Sequence, residues 1–284
     1  MKEFISLFIA YGFVLATVVL LLFAIALFFL SFIENIFLNI FKDRFFNRLP
    51  FTRTKAVYRK ILLSQFAYYQ KLNARDRIKF EKRVVYFIRR NRFYARGMPE
   101  VTTEMKVLIA SSAVQLTFGL PALYFPLFNR ILVYPNDYYS EIYKRYHKGE
   151  VNPRHKTIVL SWNNFLEGYE SANDGINLGI HEMAHALELE NMMINQEYNF
   201  LDWEAHKNWI YLARDEMQKI KNGMPHFFRP YAGVNRQEFF AVCMENFFER
   251  PEGFKAALPE LYLYTARMLN QDPLKGRVER HVAA

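Results

Sequence analysis

Two patterning regimes divide the chain. From Phe4 to Ile33, "FISLFIAYGFVLATVVLLLFAIALFFLSFI", there is no charged side chain, whereas from Ala56 onward apolar and polar positions alternate with a helical period. A helix over the first stretch would rise about 45 Å, more than the ~30 Å of a hydrocarbon core. It runs into "ENIFLNIF" with no small-residue cleavage site, so a signal peptide is not the reading. A core helix is rarely apolar all round for this length. The pattern predicts a retained transmembrane helix over residues 1–34. Ile36, Phe37, Ile40 and Phe41 then share one helical face, and residues 35–55 are expected to form a basic juxtamembrane segment along the membrane surface.

The remainder, residues 56–284, reads as one domain with a helical part over 56–120 and a catalytic part over 121–275. Amphipathic helices are expected in "VYRKILLSQFAYYQKL" and "RDRIKFEKRVVYFIRRNRFY", and a nearly all-apolar helix of the interior in "EMKVLIASSAVQLTFGL". "RILVYP" and "HKTIVLSW" are strand-like, with a loop or hairpin excursion between them. Further helices are expected over Phe200 to Ile220 and from near Arg236 and Leu258. The fold class is helix-rich α+β with a small sheet beside the helix described next.

Charge adds orientation. The net charge is +9, and basic residues crowd between Lys42 and Arg96. Lys42, Arg44, Arg48, Arg53, Lys55, Arg59 and Lys60 outnumber the acidic residues on the C-terminal side of the apolar segment. The positive-inside bias therefore predicts a single-pass membrane protein with a cytoplasmic C-terminal domain. No nucleic-acid motif spacing accompanies the arginines of the second amphipathic helix, so nucleic acid is not an expected partner. The one cysteine, Cys243, excludes an intrachain disulfide and fits a reducing compartment.

The candidate chemistry lies in "DGINLGIHEMAHALELEN". Residues four apart share a helix face about 6 Å apart, so His181 and His185 can reach one metal ion. Glu182 stands where it can serve a water as general base. Ile176, Ile180, Met183, Ala184 and Leu187 supply an apolar stripe, and Asn173-Asp174-Gly175 a capping turn. Three protein ligands with one open position define a catalytic zinc site. The His-x-x-Gly-x-x-His extension is absent, since position 188 is Glu and position 191 Asn, so a glutamate is expected as third ligand. Glu204, Glu238 and Glu245 are candidates. The last two lie seven apart on an otherwise apolar helix, where one would bind the metal and the other hydrogen-bond a ligand histidine. "VLSW", ending in Ser161 and Trp162, is a candidate edge strand for pairing with an extended peptide.

These blocks resemble the Mlc titration factor A family of zinc metallopeptidases. The resemblance rests on "EMKVLIASSAVQLTFGL", "RILVYPNDY", "GYESANDGINLGIHEMAHALE", "PYAGVNRQEFFAVCMENFFERPEGF" and "LPELYLYTARMLNQDPL", between about Tyr58 and Leu274. It implies a zincin-like fold, Zn²⁺ held by His181, His185 and Glu238, Glu182 as general base, and Tyr231 as a hydrogen-bond donor to the transition-state oxyanion. The expected function is a membrane-anchored zinc metallopeptidase acting on a peptide or protein substrate through a metal-bound water. The alternative is a peptidase-like regulatory protein that sequesters a transcription factor or membrane partner.

Overall fold

The computed structural model describes residues 12, 15, 17–25, 27, 55–120, 125–140, 144–170, 173–194 and 201–275. The chain divides into two compact units, Met1–Pro50 and Phe51–Ala284. In the first, the described residues are helical and exposed. The expected single-pass membrane placement is corrected here: among the described residues no helix is long and apolar enough to cross a membrane. Residues 1–11 and 28–54, with Ile36, Phe37, Ile40, Phe41 and nearly all of the basic juxtamembrane segment, lie outside the described residues.

The second unit opens with α1 (Ala56–Gln65), α2 (Ala67–Gln70) and α3 (Ala74–Arg90). Asn73 caps α3, its side chain accepting from the Asp76 N–H at 2.9 Å. Arg59 of α1 donates to both oxygens of the buried Glu81 of α3, at 2.9 and 2.8 Å, and Tyr69 donates to the same carboxylate at 2.6 Å. The interior helix is present as α4 (Thr103–Thr117), buried from Val107 to Thr117. Its C-terminal carbonyls are met by α3: Arg83 donates to Thr117 O at 2.9 Å and Leu120 O at 2.8 Å, and Lys79 to Phe118 O at 3.3 Å. Cations at a helix C-terminus satisfy orphan carbonyls and complement the helix dipole. Part of the basic stretch is thus used inside the fold.

Helix α3 stops at Arg90, and "RFYA" leaves it as strand β1 (Arg92–Ala95), which was expected to continue the helix. The other strands are β2 (Arg130–Tyr134), β3 (Tyr138–Ser140), β4 (Arg145–His147), β5 (Gly149–Asn152) and β6 (Thr157–Ser161). Strands β3 and β4 form the hairpin between the two expected strands. The main sheet has the order β1-β2-β6-β5, parallel except for β5, which runs antiparallel to β6. This corrects the assignment of "VLSW" as an edge. Strand β6 is paired on both sides and buried along its whole length, as a continuous apolar run requires. Ser161 is fully buried and Trp162 begins α5 (Trp162–Glu170), stacked on Phe165. The edge near the motif is β5.

The described residues continue with α6 (Leu178–Ile194), α7 (Trp203–Lys221), α8 (Arg236–Glu249), α9 (Pro251–Ala257) and α10 (Pro259–Leu269), with a 3₁₀ turn at Pro230–Gly233 before α8. Helix α6 packs against α8, α4 and the β5–β6 side of the sheet, and α7 against α10. Trp209 of α7 donates to Thr265 of α10 at 3.0 Å. The helix-rich α+β class with a small sheet beside α6 is therefore what the chain forms.

Candidate metal centre

Helix α6 begins at a built turn. Gly175 has φ +75°, and Asp174 accepts from the Ile176 N–H at 2.8 Å. The helix cap itself is Asn177, which accepts from the Ile180 N–H at 2.9 Å and also donates to Gly168 O and Glu249. Of the expected apolar stripe, Ile180, Met183, Ala184 and Leu187 are buried, while Ile176 is 54% exposed because it precedes the helix.

One face of α6 and the start of α8 converge. His181 Nε2 lies 3.0 Å from His185 Nε2 and 3.1 Å from Glu238 Oε2, and His185 Nε2 lies 3.5 Å from the same oxygen. Among the described residues these three side chains are the one group able to offer a metal three ligand atoms, all within 4.8 Å of one another. Glu238 sits in the first turn of α8, where Asn235 caps the helix by accepting from its N–H at 2.9 Å. Glu204, the third candidate, is exposed on α7 and does not join this group.

Glu245, one helical face along α8, stands behind His181: its Oε1 and His181 Nδ1 are in short hydrogen-bond contact. This leaves Nε2 facing the convergence point. Glu182 is buried, its Oε2 has no hydrogen-bond partner, and its other oxygen lies against β5 at Gly149. Tyr231, in the 3₁₀ turn, is half exposed, with its ring 6.2 Å from that of His181. Ser161 donates its backbone N–H to Lys148 O at 2.8 Å, and Trp162 opens α5.

The electrostatics suit a cation. Burial works against a charged His181, yet the Glu238 and Glu245 carboxylates outweigh it and push its pKa up to about 10. Burial raises Glu182 above the usual carboxylate range against the pull of His181 and His185. Glu238 goes the other way: burial is overcome by the two histidines and its carboxyl is held well below that range. Burial, then Glu238, pushes Tyr231 up to about 12. Glu238 Oε2 lies within ion-pair distance of both imidazoles. Two imidazoles and a carboxylate converging on one point form a donor set that a shared cation would satisfy.

A family model, glucose-regulated metallo-peptidase M90, matches residues 41–269. The chain belongs to that family. Its relatives include an uncharacterized protein of Synechocystis sp., 26% identical over 232 residues, which span 76% of this chain and 84% of that protein. Mlc titration factor A of Pectobacterium atrosepticum is 27% identical over 187 residues, 58% of this chain and 70% of that protein. The protein of that name from Escherichia coli is 27% identical over 188 residues, 59% and 70% of the two chains. The match shows the metallopeptidase family, and family membership implies a metal ion.

Two residues at this centre carried no sequence signal. Gly149 sits in "KGEVN", and Arg229 in the loop "PHFFRPYAG". Their partners, Glu182 and Glu245, are distant in sequence and are met only in the folded chain.

Proposed function

We propose that this protein is a zinc-dependent peptidase of zincin-like fold, with His181, His185 and Glu238 as metal ligands, Glu182 as general base and Tyr231 as oxyanion donor. The carrying observation is the triangle of His181 Nε2, His185 Nε2 and Glu238 Oε2, with sides of 3.0, 3.1 and 3.5 Å. Ligand atoms 2.0–2.1 Å from a tetrahedral zinc stand about 3.3 Å apart, so the triangle supports that ion, as does a donor set of two imidazoles and a carboxylate. When bound, zinc would supply Lewis acidity, polarising a peptide carbonyl and acidifying water.

The chain's own groups do the rest. Glu182 takes the proton of the attacking water on its carboxylate and delivers it to the leaving amine. Tyr231 O–H donates to the oxygen on which charge develops. Glu245 holds the His181 tautomer by accepting from Nδ1–H. The outer edge of β5, beside Glu182, is where an extended substrate peptide would pair, in the role expected of "VLSW".

Purified protein should hold about one zinc per chain, and Glu182→Gln should retain the metal while losing hydrolysis of unstructured peptides. Metal-replete protein without stoichiometric zinc would sink the reading.

A second reading, a peptidase-like regulator that holds a protein partner such as a transcription factor, is favoured by the name Mlc titration factor A carried by relatives. The two separate in one comparison. A protein partner retained equally by wild type and Glu182→Gln, with no peptidase activity in the wild type, supports the regulator.

A further inference from the structure

Arg229 is not among the residues given a role above, yet it joins three parts of the centre. Its Nη2 donates to Glu245 Oε1 at 3.1 Å, and its Nη1 makes a shorter contact with Oε2 of the same carboxylate. This is the two-pronged fork that arginine forms and lysine cannot. Nη1 also donates to Gly175 O at 2.6 Å, in the turn that starts the His181 helix. The guanidinium lies 5.8 Å from the ring centre of Tyr231, two residues on. Glu245 is 1% exposed at its side chain, whereas Arg229 retains 27%. A buried carboxylate with free rotation about its last bonds has no fixed direction, and the fork supplies one.

The order of contacts is Gly175 O, Arg229, Glu245, His181 Nδ1, with His181 Nε2 at the ligand triangle. We infer that Arg229 is a positioning residue for the metal centre: its fork aims Glu245 at His181 Nδ1 and so aims His181 Nε2 at the ion. It touches neither ion nor substrate. This rests on the reading of His181 as a metal ligand.

The test measures Zn²⁺ affinity of the metal-stripped full chain by competition with a chromophoric chelator, beside thermal unfolding of the same metal-free samples. Arg229→Met removes the fork and keeps much of the volume. Arg229→Lys keeps the charge without the fork. Loss of an outer partner of a metal-ligating histidine lowers affinity about 10- to 100-fold, so that loss is expected in Arg229→Met. Arg229→Lys is expected to recover only part of it. A purely structural role would lower the unfolding temperature while leaving Zn²⁺ affinity unchanged in folded protein, and wild-type affinity in Arg229→Met overturns the inference. Should Arg229→Met fail to fold, Arg229→Lys decides alone, with wild-type affinity again overturning it. A wild type that binds no Zn²⁺ instead overturns the metal reading and this inference together.

Discussion

Gly149 and Glu182 occupy adjoining space with no room between them. A Cβ on Gly149 would stand 2.4 Å from Glu182 Oε1 and 2.6 Å from its Cδ. The edge strand can lie against the glutamate only because this position has no side chain. Gly149→Ala should therefore displace Glu182. A shift of about 1 Å at a reacting group can lower a rate about 10²-fold, so kcat/KM on a peptide should fall by that order while zinc content stays at the wild-type level. Unchanged kcat/KM would show that Glu182 is not held by this contact.

A second ion pair fastens α6 to α8 beside His185. Arg236 Nη2 lies 3.2 Å from Oε1 of Glu188, which is buried. Burial raises the Glu188 carboxyl above its usual range, and Arg236 opposes that. Arg236→Ala should cost about 1–3 kcal/mol in urea unfolding, because a buried carboxylate loses its charged partner. Arg236→Ala combined with Glu188→Gln should recover part of the loss. A double variant no more stable than Arg236→Ala would disprove the pairing as the cause.

Glu190 predicts a pH dependence away from the metal group. It is fully buried, its Oε1 accepts from the Leu127 N–H at 2.8 Å, and burial pushes its pKa up to about 8 against that bond. A raised folded-state pKa means the native protein holds this proton more tightly than the unfolded chain. The resulting stability is fully present below about pH 4.5 and is lost as pH rises through about 8. Glu190→Gln should narrow the drop in urea midpoint between pH 5 and pH 9. Parallel wild-type and variant curves over that window would refute it.

Asn177→Ala removes the cap of α6 together with bonds to Gly168 O and Glu249 Oε1. Loss of a cap alone costs about 1 kcal/mol, and with the extra bonds the unfolding free energy should drop by about 2 kcal/mol. A change below about 0.5 kcal/mol, the level of an ordinary surface substitution, would count against Asn177 as the cap.

How far the chain could be read in advance varied with the range of the interaction. His181 and His185 face one point because helix geometry sets residues four apart on one side. Glu238 and Glu245 stood out as carboxylates on an apolar helix, where each needs a partner. Strand β5 was hidden because "GEVN" has no β-branched run, and its extended state comes from pairing with β6. "TIVLS" carries the unbroken apolar run Ile158-Val159-Leu160, which suits an interior strand covered on both faces. Arg229 was invisible because its partners, Gly175 and Glu245, are brought to it only by tertiary packing. The long apolar start had the length for a span by composition alone, and no helix among the described residues carries that length.

Direct contact between α6 and α8 brings both histidines to Glu238, and the end of the connection between them adds Arg229 and the cap Asn235. Helix α7, earlier in that connection, leans on α10. Substitutions on the exposed face of α7 should therefore alter the outside of the molecule while leaving the His181, His185 and Glu238 group in place. Chains about 26–27% identical to this one have room to differ on that face.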